Sequence, residues 1–269
     1  MEEWTSMLGA GYVRRAYRAA GFGGLTVIAA VGIVLDVYVD DDSVHRPKIR
    51  DKFTGSWSSG LLRLFDVKSI VNGEPGIRGV GRGRGRVVVS NHRSIIDIGV
   101  MLELFGGAVL SRGDLEHWPI IGPSAKAAGT IFVDRSSKSS GASAIRQMVE
   151  RLDAQDTICL FPEGTTYEDD EVHPFKLGAF VAAKRGKVPV IPVGLVYPLD
   201  SGAAFGGETF MQHLGRLAES KGTRVWVEIG EPMELGENED ARDFAERCRQ
   251  EVIKLVAIGR EKEQASRKK

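Results

Sequence analysis

After about Asp66 the chain alternates short β-branched runs with stretches of helical length, and this alternation constrains the fold more than any other feature. The runs are Val67 to Val71, Arg86 to Ser90, Ala108 to Ser111, Thr130 to Val133, Thr157 to Phe161, Pro189 to Val196 and Arg224 to Ile229. Between them, Ile95 to Phe105, Ser139 to Ala154, Phe175 to Arg185 and Asp240 to Ile258 read as helices. Runs such as Val87-Val88-Val89 are apolar on both faces and need cover on both, so the predicted class is α/β, a mostly parallel or mixed sheet covered by helices. Pro189 and Pro192 cannot donate to a ladder and point to an edge or a bulge for their run. Ligands in such sheets gather beyond strand ends, which is where motifs carry most weight.

The 269 residues, 42% of them hydrophobic, suffice for one domain of about 200 residues plus an appendage. The divisions expected are a helical membrane-associated segment over 1–65, the main domain over 66–260 and a charged, frayed tail over 261–269. Basic and acidic residues balance at 36 each, so no global field draws nucleic acid and any anion site has to be built locally. Cys159 and Cys248 have neither metal nor disulfide spacing and read as buried thiols of a reducing compartment.

Gly21 to Leu35 carry no charge, and apolar residues continue to Val39 with only Asp36 interrupting, close to the roughly 20 residues that span a bilayer. Arg14, Arg15 and Arg18 before it and Asp40, Asp41 and Asp42 after it would orient a single span with the body outside the cytosol. A second stretch offers a different solution. Ile49, Phe53, Trp57, Leu61 and Leu64 recur at helical spacing, bordered by Lys48, Lys52 and Arg63, as on an amphipathic helix at a membrane surface. Together the two would dip into one leaflet and return, giving a membrane-associated protein on the cytoplasmic face; the alternative is that both pack on the core. A cleaved signal peptide fits poorly, because the apolar segment starts late and no small-residue cleavage pattern precedes the acidic run.

The strand Val87 to Val89 runs directly into Ser90-Asn91-His92-Arg93-Ser94-Ile95-Ile96-Asp97. Residues five apart on a helix are about 140° out of register, so His92 and Asp97 meet only if His92 sits on the turn ahead of the helix. A buried carboxylate on one imidazole nitrogen fixes the tautomer and leaves the other to accept a proton. No GxSxG elbow supplies a protein nucleophile, so the attacking group belongs to the substrate, an alcohol for example. Taken alone, the pair also fits a helix cap. Two later segments read as anion sites: Gly129 to Arg135, a strand ending in an arginine able to clamp phosphate, and Phe161-Pro162-Glu163-Gly164-Thr165-Thr166, where Gly164 admits a ligand and the threonines offer hydroxyls. Glu163 leaves a buried strand and needs a partner, either a substrate hydroxyl or Arg135. The plain alternatives are a surface arginine and an ordinary turn.

In this order, the blocks Asn91 to Asp97, Gly129 to Arg135, Phe161 to Thr165 and Val188 to Val193 resemble the glycerolipid acyltransferase family, which includes the 1-acylglycerol-3-phosphate acyltransferases. The resemblance covers roughly Val67 to Pro198. It implies that His92 deprotonates a lysophospholipid hydroxyl while Asp97 holds the imidazole, and that Asn91, Ser94, Arg135, Glu163, Gly164 and Thr165 bind substrate. The co-substrate implied is an acyl-coenzyme A or acyl carrier protein thioester; no metal or bound cofactor is implied, and the other partners are the bilayer and the lysophospholipid. The first acceptor implied is 1-acylglycerol-3-phosphate, giving phosphatidate. One departure matters: many phosphatidate-forming members carry arginine where this chain has Thr166, and members using lyso-ornithine lipid or lysophosphatidylethanolamine resemble this form, with Pro174-Phe175-Lys176 following. Lys176 could restore the charge, although helix solvation is its plainer role.

Competing readings are a catalytically inactive lipid-binding membrane protein and a thioester hydrolase. The Gly79 to Arg86 patch precedes a strand rather than a helix and so is no dinucleotide cradle; it reads as a basic turn. His45, His117, His173 and His213 lack ligand spacing and read as surface or packing residues.

Overall fold

The computed structural model describes residues 2–39, 46–76, 85–134 and 136–268, with backbone alone for 2–10, 36–39 and 46–49. Arg135 and most of the Gly79 to Arg86 patch therefore lie outside the described residues. Seven strands form one sheet: β1 (Val67–Asn72), β2 (Arg86–Ser90), β3 (Ala108–Arg112), β4 (Ile131–Val133), β5 (Thr157–Leu160), β6 (Val190–Val196) and β7 (Thr223–Ile229). Their order is β1-β7-β6-β2-β5-β3-β4, parallel throughout except where β6 meets β7.

Alternation along β2 explains why there are two cores. Val87 and Val89 join Ile158, Leu160, Phe180 and Phe244 on one face, while Val88 joins Val100, Phe105, Leu195 and Val225 on the other. Each such buried valine contributes roughly 1.5–3 kcal/mol. Helices α5 (Lys138–Asp153), α6 (Gly178–Gly186) and α8 (Ala241–Arg267) cover the first face; α3 (Ile96–Phe105) and α7 (Phe210–Glu219) cover the second. Gly107 makes the turn from α3 into β3 at φ 80°, where a Cβ would lie 2.0 Å from the Thr157 carbonyl oxygen.

The prolines do not place β6 at an edge. It lies between β7 and β2, and Pro192 is accommodated because it sits opposite the end of β7: its carbonyl accepts from Gly230 N–H at 2.9 Å, and the N–H it lacks would face that same side. The frayed tail is corrected as well. Helix α8 continues to Arg267, because Glu263, 1% exposed, sits between Arg260 and Arg267, and Arg260 reaches Asp170 at 2.7 Å and the Tyr197 carbonyl at 2.8 Å.

The N-terminal helices α1 (Glu2–Val39) and α2 (Arg46–Leu64) pack on each other through small residues. A Cβ on Gly32 would lie 2.3 Å from the Phe53 ring, and one on Gly21 2.7 Å from Leu64. Trp57 also donates to Thr26 Oγ1 at 3.1 Å. The described part of the α2 apolar stripe thus turns toward α1 rather than toward a membrane surface. It is α1 that remains bare, with Val27, Ile28, Val31, Val34 and Leu35 exposed, and Gly11–Leu35 is long and apolar enough to cross a membrane. A second neighbour of α1 is α4 (Ile121–Ala127), which periodicity did not mark out, nor did it mark α7.

Candidate active site

Strands β6, β2 and β5 are adjacent, and β2 runs parallel to both, so their carboxyl ends bring together Tyr197, the turn from Asn91 to Asp97 and the segment from Phe161 to Thr166. Asn91 continues β2 with its side chain: Nδ2 donates to the Leu195 carbonyl at 2.9 Å and Oδ1 accepts Leu195 N–H at 2.8 Å. This amide is buried and tied to the backbone of β6, so Asn91 shapes the site without lining it.

The turn closes on Asp97. Its Oδ2 accepts from Arg93 N–H at 2.7 Å, Ser94 N–H at 2.8 Å and His92 Nδ1 at 2.9 Å. The carboxylate lies in the first turn of α3, where the helix dipole favours negative charge. Tyr197 donates its hydroxyl to the remaining Oδ1 at 2.5 Å. Burial, and then the neighbouring Asp97 charge, lift the Tyr197 phenol well above its ordinary range, so it stays a donor. Asp97 is 0% exposed and the His92 side chain 17%.

The His92 ring stacks on Phe161, with centroids 4.0 Å apart and planes at 11°. Since Asp97 holds Nδ1–H, Nε2 is the basic nitrogen, and among the described residues it has no partner. The ring lines a cleft of about 1400 Å³. That cleft shares Ile95, Ile98, Leu115 and Phe210 with an apolar cavity of about 200 Å³, walled also by Phe22 and Ile33 of α1 and Leu61 of α2.

Glu163 holds the turn from the other side. Its Oε2 accepts His92 N–H at 2.8 Å and its Oε1 accepts His173 N–H at 3.1 Å, so both oxygens serve the backbone. Burial raises this carboxyl to about 7. Gly164, at φ 80°, follows, and with Thr165 and Thr166 it lines the cleft. Lys176 is exposed, as a solvated residue would be, but it is not in a helix. It precedes α6 and lies in the cleft, its Nζ 2.5 Å from where a Cβ on Gly164 would be, so the glycine makes room for the amine.

Ser94, expected at the substrate, is buried; its hydroxyl accepts from Ile96 N–H at 3.2 Å and meets His213 Nε2 at 3.2 Å. Arg93 is buried too, reaching the Tyr167 carbonyl at 3.0 Å and Asp170. Sequence pattern did not point to Tyr197 at the site, nor to a partner for Arg93, and His213, read as a surface or packing residue, is buried. For Tyr197 and His213 the contacts span 100 and 119 residues; the available signals were a tyrosine directly after a buried strand and the capping box Thr209–Gln212 opening α7. Among the described residues no group of three His, Cys, Asp or Glu could hold a metal ion.

A mostly parallel sheet thus carries at its carboxyl edge a hydrogen-bonded histidine and carboxylate, with the ring lining a cleft. The Acyltransferase family model matches residues 74–196. A lyso-ornithine lipid O-acyltransferase of Brucella abortus is 30% identical over 225 residues, 75% of this chain and 81% of the relative. The chain belongs to the acyltransferase family. A 1-acyl-sn-glycerol-3-phosphate acyltransferase of Neisseria gonorrhoeae is 24% identical over 216 residues, 78% of this chain and 83% of the relative. The fold matches the crystal structure of the 1-acyl-sn-glycerophosphate acyltransferase PlsC of Thermotoga maritima at a TM-score of 0.72 and 19% identity, covering 92% of this chain and 96% of that one.

Proposed function

We propose that this acyltransferase moves a fatty acyl group from a thioester of coenzyme A or acyl carrier protein to the free hydroxyl of a lysolipid, with His92 as general base. His92 Nε2 takes the hydroxyl proton; the oxygen attacks the thioester carbonyl, the new O–C bond forms, the C–S bond breaks, and the thiolate leaves with the proton returned by the imidazolium. The observation that carries this reading is the free Nε2 of His92, braced by a buried Asp97, in a cleft that shares wall residues with an apolar cavity. The cavity suits an acyl chain, and the bare face of α1 suits attachment to a bilayer, on its cytoplasmic side.

The acceptor proposed is 1-acylglycerol-3-phosphate, its phosphate facing Lys176, Thr165 and Thr166, with Arg135 contributing by family resemblance. A second reading, lyso-ornithine lipid, is favoured by Glu168 and Asp169, which line the same cleft, and by Thr166 in place of arginine. The test offers purified protein a panel of lysolipids with a labelled acyl thioester. Diacyl lipid should form with wild type and be lost with His92→Ala. Free fatty acid as the main product would mean a hydrolase, and no turnover of any lysolipid would leave a lipid-binding protein. Lys176→Ala should raise KM for lysophosphatidate about tenfold, since a charge-assisted contact is worth roughly 1.5–3 kcal/mol; an unchanged KM removes Lys176 from the head-group site.

A further inference from the structure

Beneath the catalytic turn lies a second histidine that the reaction scheme does not use. His213, on α7, is 0% exposed; its Nδ1 lies 2.7 Å from Glu208 Oε1 and its Nε2 3.2 Å from Ser94 Oγ. Glu208 is tied in turn to Arg216 Nε at 3.1 Å, and Arg216 Nη2 donates to the Ala204 carbonyl at 2.7 Å. Phe205 stacks on the His213 ring at 3.9 Å and donates its N–H to the Arg93 carbonyl at 2.9 Å. With Nδ1–H donated to the Glu208 carboxylate, which Arg216 Nη2 also binds while lying 2.9 Å from Nδ1, Nε2 accepts the Ser94 hydroxyl, and the same hydroxyl oxygen still accepts Ile96 N–H. Ser94 is also the residue whose N–H reaches Asp97 Oδ2 at 2.8 Å.

We propose that His213 is a positioning residue for acyl transfer: held between Glu208 and Ser94, it fixes the turn whose amides orient Asp97, and through Asp97 it fixes the His92 imidazole. A buried, doubly bonded imidazole is a rigid strut, and Ser94 joins it to the catalytic carboxylate through a single residue. This rests on His92 being the base. The strut acts on geometry at the reacting proton, so its loss falls on kcat more than on KM, although its partners Phe205 and Glu208 line the cleft.

The experiment compares His213→Phe, His213→Gln, Ser94→Ala and the double variant Ser94→Ala/His213→Phe with wild type, His92→Ala running alongside. His213→Phe should lower kcat about tenfold with KM for both substrates within about twofold, as small misplacements at a reacting centre do. His213→Gln, able to offer one donor and one acceptor, should recover most of the loss. Ser94→Ala should match His213→Phe, and the double variant should be no worse than either, the mark of one shared pathway. Wild-type kcat in His213→Phe, multiplicative losses in the double variant, or a glutamine variant as slow as phenylalanine would each overturn the proposal. Activity surviving in His92→Ala would instead remove the base on which the proposal stands.

Discussion

The molecule contains the same local unit twice, and only one copy faces the cleft with a nitrogen to spare. His92 and Asp97 are five residues apart, as are Glu208 and His213 in the opposite order. Both pairs sit at the start of a helix, both use Nδ1 on the carboxylate, at 2.9 and 2.7 Å, and both rings stack on a phenylalanine, at 4.0 and 3.9 Å. What differs is the other nitrogen. In His92 it opens on the cleft; in His213 it is spent on Ser94, and burial lowers the affinity of that ring for a second proton. Pairing with a carboxylate therefore does not by itself single out a base; under the proposed mechanism the unspent nitrogen on the cleft does.

Replacing each member of the His92–Asp97 pair tests this contrast most severely. His92→Ala should cost at least ~10³-fold in kcat, with vesicle binding unchanged in a sedimentation assay. Retained turnover would erase the distinction between the pairs. Asp97→Asn should cost roughly 10²–10³-fold, because an amide can present N–H to the wrong tautomer while leaving the fold in place.

Smaller effects come from the groups that hold the turn. Glu163→Gln should lower kcat about tenfold, since the amide nitrogen must face either His92 N–H or His173 N–H and one buried donor goes unpaired at roughly 1–3 kcal/mol. Its pH signature has a definite sign. Glu163 titrates at about 7 in the fold against an ordinary 4.5, so its proton is bound more tightly folded than unfolded. The stability from that proton is complete below about 4.5 and is lost as pH rises through about 7. The melting temperature of wild type should exceed that of Glu163→Gln most at pH 5, and the gap should shrink by pH 8; a gap that widens with pH would contradict the burial argument. Tyr197→Phe should be mildest, about threefold in kcat, because Asp97 loses one of four donors and keeps the three that set its orientation.

The sheet was legible because its central strands are short buried runs rich in β-branched residues, and the His92 to Asp97 turn because its residues are contiguous. Tyr197 and His213 were not, because the hydrogen bonds that define their roles close loops of about a hundred residues, which no local pattern encodes. Pro192 misled for a physical reason: the lack of an N–H matters only on the side where a partner strand continues, and there β7 has ended. The charged end of α8 looked frayed because its composition is polar, yet a buried Glu263 between two arginines folds it against Asp170 and Tyr197. For Lys176 the spacing from Gly164 gave no hint that the two share one space.

The apolar cavity has a practical corollary. Because α1 and α2 furnish one of its sides, under the proposed function they belong to the vessel for the hydrocarbon tail as much as to any attachment device. Trimming residues 1–65 to obtain a soluble enzyme would leave that vessel open to water, with Ile96 and Leu102 newly wet, so solubility and capacity for long tails cannot be engineered independently.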